Sequence, residues 1–148
     1  MKIYLSVCLA LLISVNVTAQ KVNTDALLGM WLTESGKAVV LIYKEGSKYN
    51  GKINWLKTPT YEDGKAKVDK HNPDVKLQST PLMGLNLLKD FIFNGEKWEK
   101  GTIYDPDNGK TYSCKITMIN EAKIEVRGFI GFSLLGRTQT WVKLPDKK

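Results

Sequence analysis

The sequence predicts an all-β fold: about eight antiparallel strands wound up and down into a barrel. Three observations carry that expectation. Short runs alternate apolar and polar residues or are rich in β-branched ones, tight turn signals built from Gly, Asn and Asp separate them, and almost no segment has helical periodicity. A meander of eight strands leaves two edges with unpaired amides, and closing the sheet removes both. A two-sheet sandwich is the runner-up. An eight-stranded barrel is just wide enough to be filled by side chains or to hold one small ligand, so a packed and a hollow interior both stay open.

Residues 1–19 read as an export leader. Lys2 supplies a positive start, residues 3–15 are largely apolar, and Val17-Thr18-Ala19 offers small residues for cleavage ahead of Gln20. The apolar run falls short of the ~20 residues a membrane-spanning helix needs, and no later stretch repeats it, so no transmembrane segment is expected. Residues 20–148 then form one domain, exported to the periplasm or secreted, without internal repeats. Cys8 leaves with the leader and Cys114 stands alone, which excludes an internal disulfide. The net charge of +7, one lower without the leader, is spread over single lysines that read as a solvated surface. No basic patch interleaved with aromatics points to nucleic acid, and nothing in the pattern selects an oligomeric state.

In chain order, residues 25–28 form one helical turn, capped by Asn23 or Thr24 and stopped by Gly29, and the first strand starts at Met30. A β-branched-rich strand over 38–44 turns at Glu45-Gly46-Ser47 into a strand over 49–56, which puts Tyr49, Gly51, Ile53 and Trp55 on one face. After a long loop come a strand over 87–93, the Asn94-Gly95 hairpin signal and a strand over 98–104. The turn Asp105-Pro106-Asp107-Asn108-Gly109 leads into 111–119, with Tyr112, Cys114, Ile116 and Met118 on its apolar face. Asn120-Glu121-Ala122 precedes 123–129, whose inward set is Ile124, Val126 and Gly128. A last loop at 131–136 precedes the closing strand over 137–144.

The long loop between the third and fourth strands is the one stretch that cannot itself be a strand, because Pro73 and Pro81 remove amide donors and bias their neighbours. Leu77, Leu82, Met83 and Leu85 are too much apolar surface for a free linker. It is expected to order over one mouth of the barrel as a lid, with Leu82 and Met83 inward and Asp69, Asn72 and Asp74 anchoring its base through turn amides. Together with those two, Tyr49, Trp55, Tyr112 and Met118 are the candidate lining of a cavity for a small apolar ligand.

Chemistry has few footholds. His71 is the only histidine, flanked by Asp69 and Asp74; it cannot build a multi-histidine metal site, and in a polar loop it reads as a solvated side chain. Cys114 alternates onto an apolar face and reads as a buried thiol. The 105–109 turn looks like a calcium loop only until Lys110, where glycine is needed, and Ile116, where a bidentate acid is needed. No glycine-rich phosphate loop, nucleophile elbow or zinc spacing occurs, so no catalytic residue, metal or cofactor is expected and the chain reads as a non-enzyme.

Gly29-Met30-Trp31 after a helical turn, with Arg137 on the last strand, is similar to the base of lipocalin barrels, where a tryptophan closes the base and an arginine stacks across it. The second lipocalin signature, Thr-Asp-Tyr, is absent. A larger set in order is Gly51-Lys52-Ile53-Asn54-Trp55-Leu56, Asp69 with Asn72-Pro73-Asp74, Pro81-Leu82-Met83-Gly84-Leu85, Gly101-Thr102-Ile103-Tyr104-Asp105-Pro106, Gly109-Lys110-Thr111-Tyr112 and Leu135-Gly136-Arg137-Thr138-Gln139-Thr140-Trp141. It resembles domain-of-unknown-function family 2147, small exported bacterial proteins. The resemblance implies an exported lipocalin-like barrel and brings no activity or substrate with it. Members often carry arginines just ahead of the loop's second proline, where this chain has Gln78 and Thr80. The expected function is binding of a small lipophilic molecule, a lipid or fatty acid, in the cell envelope. The alternative is a solid-core envelope interaction or stress-related protein with no small-molecule ligand.

Overall fold

The computed structural model describes residues 23–132 and 134–145; the proposed leader and its cleavage site lie outside them. Its strands are β1 (Gly29–Leu32), β2 (Ala38–Glu45), β3 (Lys48–Leu56), β4 (Asn86–Phe93), β5 (Trp98–Asp105), β6 (Lys110–Asn120), β7 (Lys123–Phe129) and β8 (Gly136–Lys143). They pair antiparallel in sequence order, and β1 pairs with β8 to close an eight-stranded barrel. Closure decides between the two topologies the sequence allowed. The Asn94-Gly95 signal makes a wider turn than two residues: Phe93 pairs with Trp98, and the Asn94 side chain accepts the amides of both Glu96 and Lys97.

Up-and-down winding gives the barrel two unlike ends. At the closed end a 3-10 turn, Thr24–Leu27, caps the interior, its N-cap Asn23 accepting the Asp25 amide. Trp31 seals this end by donating its indole N–H to Leu27 O at 2.9 Å. The cation over its ring is Lys143, at 5.5 Å, which also donates to Ala26 O at 2.9 Å. Arg137 is not the clasp. Trp31 pairs with Lys143 in the β1–β8 register, so only the end of β8 reaches it, whereas Arg137 sits at the start of β8 opposite Gly128.

Trp31, Trp98, Trp141 and Phe91 are each 2 % exposed or less and fill the lower barrel with Val40, Ile42, Ile53, Leu88, Ile116, Ile124 and Val126. Tyr49 meets Trp98 edge-on at 6.1 Å and Phe93 meets it at 4.9 Å, contacts worth about 0.5–1.5 kcal/mol each beyond burial. The aromatic floor needs a glycine: a Cβ at Gly101 would sit 2.4 Å from the Phe91 ring. The neighbouring Asp90 and Lys100 adopt left-handed backbone (φ 62° and 61°) where the β4–β5 and β5–β6 pairings skip residues. Trp98 Nε1 is buried with no acceptor among the described residues, a cost of about 1–3 kcal/mol that the packing offsets.

A second irregularity overturns one expectation. Val39 pairs with Trp55 but Val40 pairs with Ile53, so Asn54 is an extra residue in β3. A bulge reverses the alternation beyond it, and Trp55 leaves the inner face and stands 46 % exposed on the outer one.

Candidate functional site

The long connection from β3 to β4 is ordered, and it lies on the wall of the barrel rather than across its mouth. Val68 forms a bridge opposite Pro81, framed by Asp69 N–H to Thr80 O and Leu82 N–H to Lys67 O, both 2.9 Å. Pro81 itself therefore needs no donor. Asp69 is fully buried, and its carboxylate accepts the Tyr104 hydroxyl and the Asn72 amide, both at 2.7 Å. Tyr104 alternates with the inward Gly101–Ile103 set and faces outward, so this bond ties the loop to the outside of β5. Burial, then the Asp69 hydrogen bond and charge, push the Tyr104 phenol up to about 12. Asn72 and Asp74 accept the turn amides of Asp74 and Lys76 at 2.9 and 3.0 Å, and Asp74 caps the 3-10 turn Val75–Leu77. Asp69 thus bonds side chains in place of the turn amides expected of it.

The same strap packs on the β5–β6 turn. A Cβ on Gly109 (φ +70°) would fall 1.9 Å from the His71 carbonyl oxygen, so glycine is what lets the loop approach. His71 is exposed, and no group of three or more His, Cys, Asp or Glu among the described residues gathers to hold a metal ion. Beneath the strap lies a cleft of about 260 Å³ bordered by Leu77, Leu85, Leu87 and Tyr104. A shallower depression of about 480 Å³ crosses the outer face of β5 and β6 beside Lys100, Lys115 and Phe129.

The interior opens at the other end, where β1–β2, β5–β6 and β7–β8 turn. There the inward positions Ile103, Tyr112, Gly128 and Gln139 remain half-buried, and Arg137, partner of Gly128, is exposed. Next to them, Ile116, Val126 (the cross-strand partner of Gln139) and Trp141 are at most 2 % exposed. The polar atoms at this rim are turned by their neighbours. Asn108 Nδ2 donates to the Tyr112 oxygen at 2.9 Å, leaving the phenolic proton to be given elsewhere. Trp141 Nε1 donates to Gln139 Oε1 at 3.1 Å, leaving the Gln139 amide nitrogen as a donor. Arg137, Tyr112 and Gln139 each have a donor to offer at this rim.

The six candidate lining residues do not meet in one cavity. Tyr49 and Met118 belong to the closed end, Tyr49 3 % exposed and Met118 packed on the core. Trp55 is outside; Leu82 packs on the core from the strap, while Met83 is 43 % exposed and points away from it. Met83 cannot point inward because Leu82 N–H is held by Lys67 O and Gly84 N–H by Ile53 O, which lays the strap flat. Tyr112 alone reaches the open end, where Ile103, Gln139 and Arg137 join it. Alternation back from Trp141 on the last strand is the signal that could have found the latter two. Cys114 is buried, and desolvation pushes its thiol up to about 12.

A family model for an uncharacterized protein conserved in bacteria (DUF2147) matches residues 29–143. Among solved structures, the chain is similar to HP1028 from the human pathogen Helicobacter pylori, described as belonging to the lipocalin family. The two are 28 % identical with a TM-score of 0.71, over 81 % of this chain and 84 % of that one. No curated protein matches.

Proposed function

Since the chain belongs to the family of uncharacterized proteins conserved in bacteria (DUF2147) and folds as a lipocalin-like barrel, we propose that it is an exported, non-enzymatic protein of the periplasm or medium that binds a small amphiphile of lipid or fatty-acid type at its open end. The observation that carries this reading is the half-buried rim of Ile103, Tyr112, Gly128 and Gln139 beneath Arg137. An anionic head would take donors from Arg137, Tyr112 and Gln139, and hydrogen bonds to a charged group are worth about 1.5–3 kcal/mol each. A chain would cover Ile103 and Gly128. The aromatic floor restricts it to the upper barrel, which favours a short or bent chain.

The test is displacement of an environment-sensitive fatty-acid probe, supported by native mass spectrometry for a co-purified lipid. The parent should bind, and Arg137→Gln should weaken binding about tenfold or more with an unchanged thermal midpoint. A parent that binds no probe, or an Arg137→Gln variant that binds as well as the parent, contradicts the reading. N-terminal sequencing of exported material should begin at Gln20; a start at Met1 would remove the compartment.

The second reading, a solid-core envelope interaction or stress-related protein, is favoured by the complete burial of Trp31, Trp98 and Phe91. It predicts no probe binding and no co-purified lipid.

A further inference from the structure

The connection from β7 to β8 is unlike the other short turns, which hold no large apolar residue. Here Ile130 (65 %), Phe132 (80 %), Leu134 (89 %) and Leu135 (71 %) hold large apolar side chains in solvent. Water disfavours such a surface, and a contiguous apolar tip on a folded protein marks a contact site. The loop is also built to present it. Ile130 N–H donates to Leu135 O at 3.2 Å and Leu135 N–H to Phe132 O at 3.0 Å. From the wall, Arg127 donates to Leu134 O at 3.3 Å and to Thr138 Oγ1 at 2.8 Å, tying both sides of the loop to β7. The amides of Ile130 and Leu135 and the carbonyl of Leu134 are thus satisfied while the four apolar side chains face solvent.

We propose that this tip inserts into the surface of a phospholipid bilayer containing anionic lipid and docks the open end of the barrel against it. Shape argues for a bilayer. Four exposed side chains on one short loop fall well short of the roughly 800 Å² per partner of a stable protein interface, whereas a fluid acyl layer accepts a small apolar patch of any outline. Charge argues for anionic lipid. Arg127 and Arg137 flank the tip, Lys115 extends the row as the cross-strand partner of Arg127, and the whole chain carries +7. Glu125 and Glu34 lie beside Thr140, further down the wall, and Glu99 borders the depression beside Lys115 and Lys100. With the tip in the acyl region, the arginines and Lys115 stand at the depth of the phosphates. The docking does not depend on whether the mouth takes a ligand.

The experiment is flotation with vesicles of mixed phosphatidylglycerol and phosphatidylethanolamine, and with vesicles of phosphatidylcholine alone, for the parent and for a Phe132→Ser, Leu134→Ser double variant. Both carry the same N-terminus, so any contribution of the leader is common to them. The parent should float with the anionic vesicles, less as salt is raised, and poorly with phosphatidylcholine. The double variant should partition about tenfold more weakly or worse, with an unchanged thermal midpoint. A variant that floats like the parent overturns the proposal, as does a parent that stays in solution. Equal flotation with both lipids overturns the choice of anionic lipid. A parent dimer in sedimentation velocity that the variant dissolves would assign the tip to a second copy of the chain and overturn the bilayer.

Discussion

Two loops at the open end treat their side chains in opposite ways. The long strap between β3 and β4 is rich in polar residues, yet it buries a carboxylate completely and lies flat on the wall. The short β7–β8 loop is the most apolar turn in the chain, yet its four large side chains stand in water. Polarity alone does not decide which loop is buried. The strap is long enough to double back, satisfy its own amides and aim Asp69 at Tyr104. The short loop spans two adjacent strands, so its only choice is which side to present. One loop is held to the wall by its buried carboxylate; the other presents apolar surface to solvent.

The largest expected effect falls on the strap. Asp69→Ala leaves the Tyr104 hydroxyl and the Asn72 amide without their acceptor in a buried place and should destabilise by about 3 kcal/mol in urea unfolding. A change below about 0.5 kcal/mol would mean the strap is not anchored there. Next, Gly109→Ala should cost about 2 kcal/mol, since the added methyl meets the His71 carbonyl and the backbone is left-handed. Hydrogen exchange should then rise across 69–82 while β6 and β7 keep their protection; a uniform rise would make the turn part of the core.

The pH dependence is smaller and has a definite sign. The Tyr104 and Cys114 values are both raised in the fold, to about 12, above their ordinary 10.0 and 9.0. The unfolded chain therefore loses these protons first, and stability is full below pH 9 and falls as pH rises toward 12. Tyr104→Phe should flatten the upper part of that slope, and an unchanged slope would remove the Asp69 bond from the explanation. Smallest of all, Phe132→Ser should leave unfolding within about 0.5 kcal/mol of the parent, because the side chain is already in solvent. A larger loss would erase the distinction between the loops.

Much of the barrel was legible because alternation is local. Tyr112, Cys114, Ile116 and Met118 share a face in the sequence and in β6, and the strands run in the order and with the turns that period-two patterning implies. What escaped was set by distant neighbours. The bulge at Asn54 that turns Trp55 outward answers the curvature of the closed sheet, and the meeting of Trp31 with Lys143 depends on the register between first and last strands. The strap was recognised as an ordered segment from its prolines and leucines, but not the surface it packs on, because the buried Asp69 is indistinguishable in sequence from a solvated one. Of the six candidate lining residues only Tyr112 reaches the rim, since facing inward does not say how near a residue stands to an open end.

That nearness is what the proposed function depends on, and chemical-shift mapping of the labelled protein titrated with a single-chain anionic amphiphile tests it most directly. The expected shifts cluster at Ile103, Tyr112, Gly128, Arg137 and Gln139, and a Met83→Asp variant titrates like the parent. Shifts centred on Asp69, Leu77 and Leu85, lost in Met83→Asp, would instead place the ligand beneath the strap and contradict an open-end site.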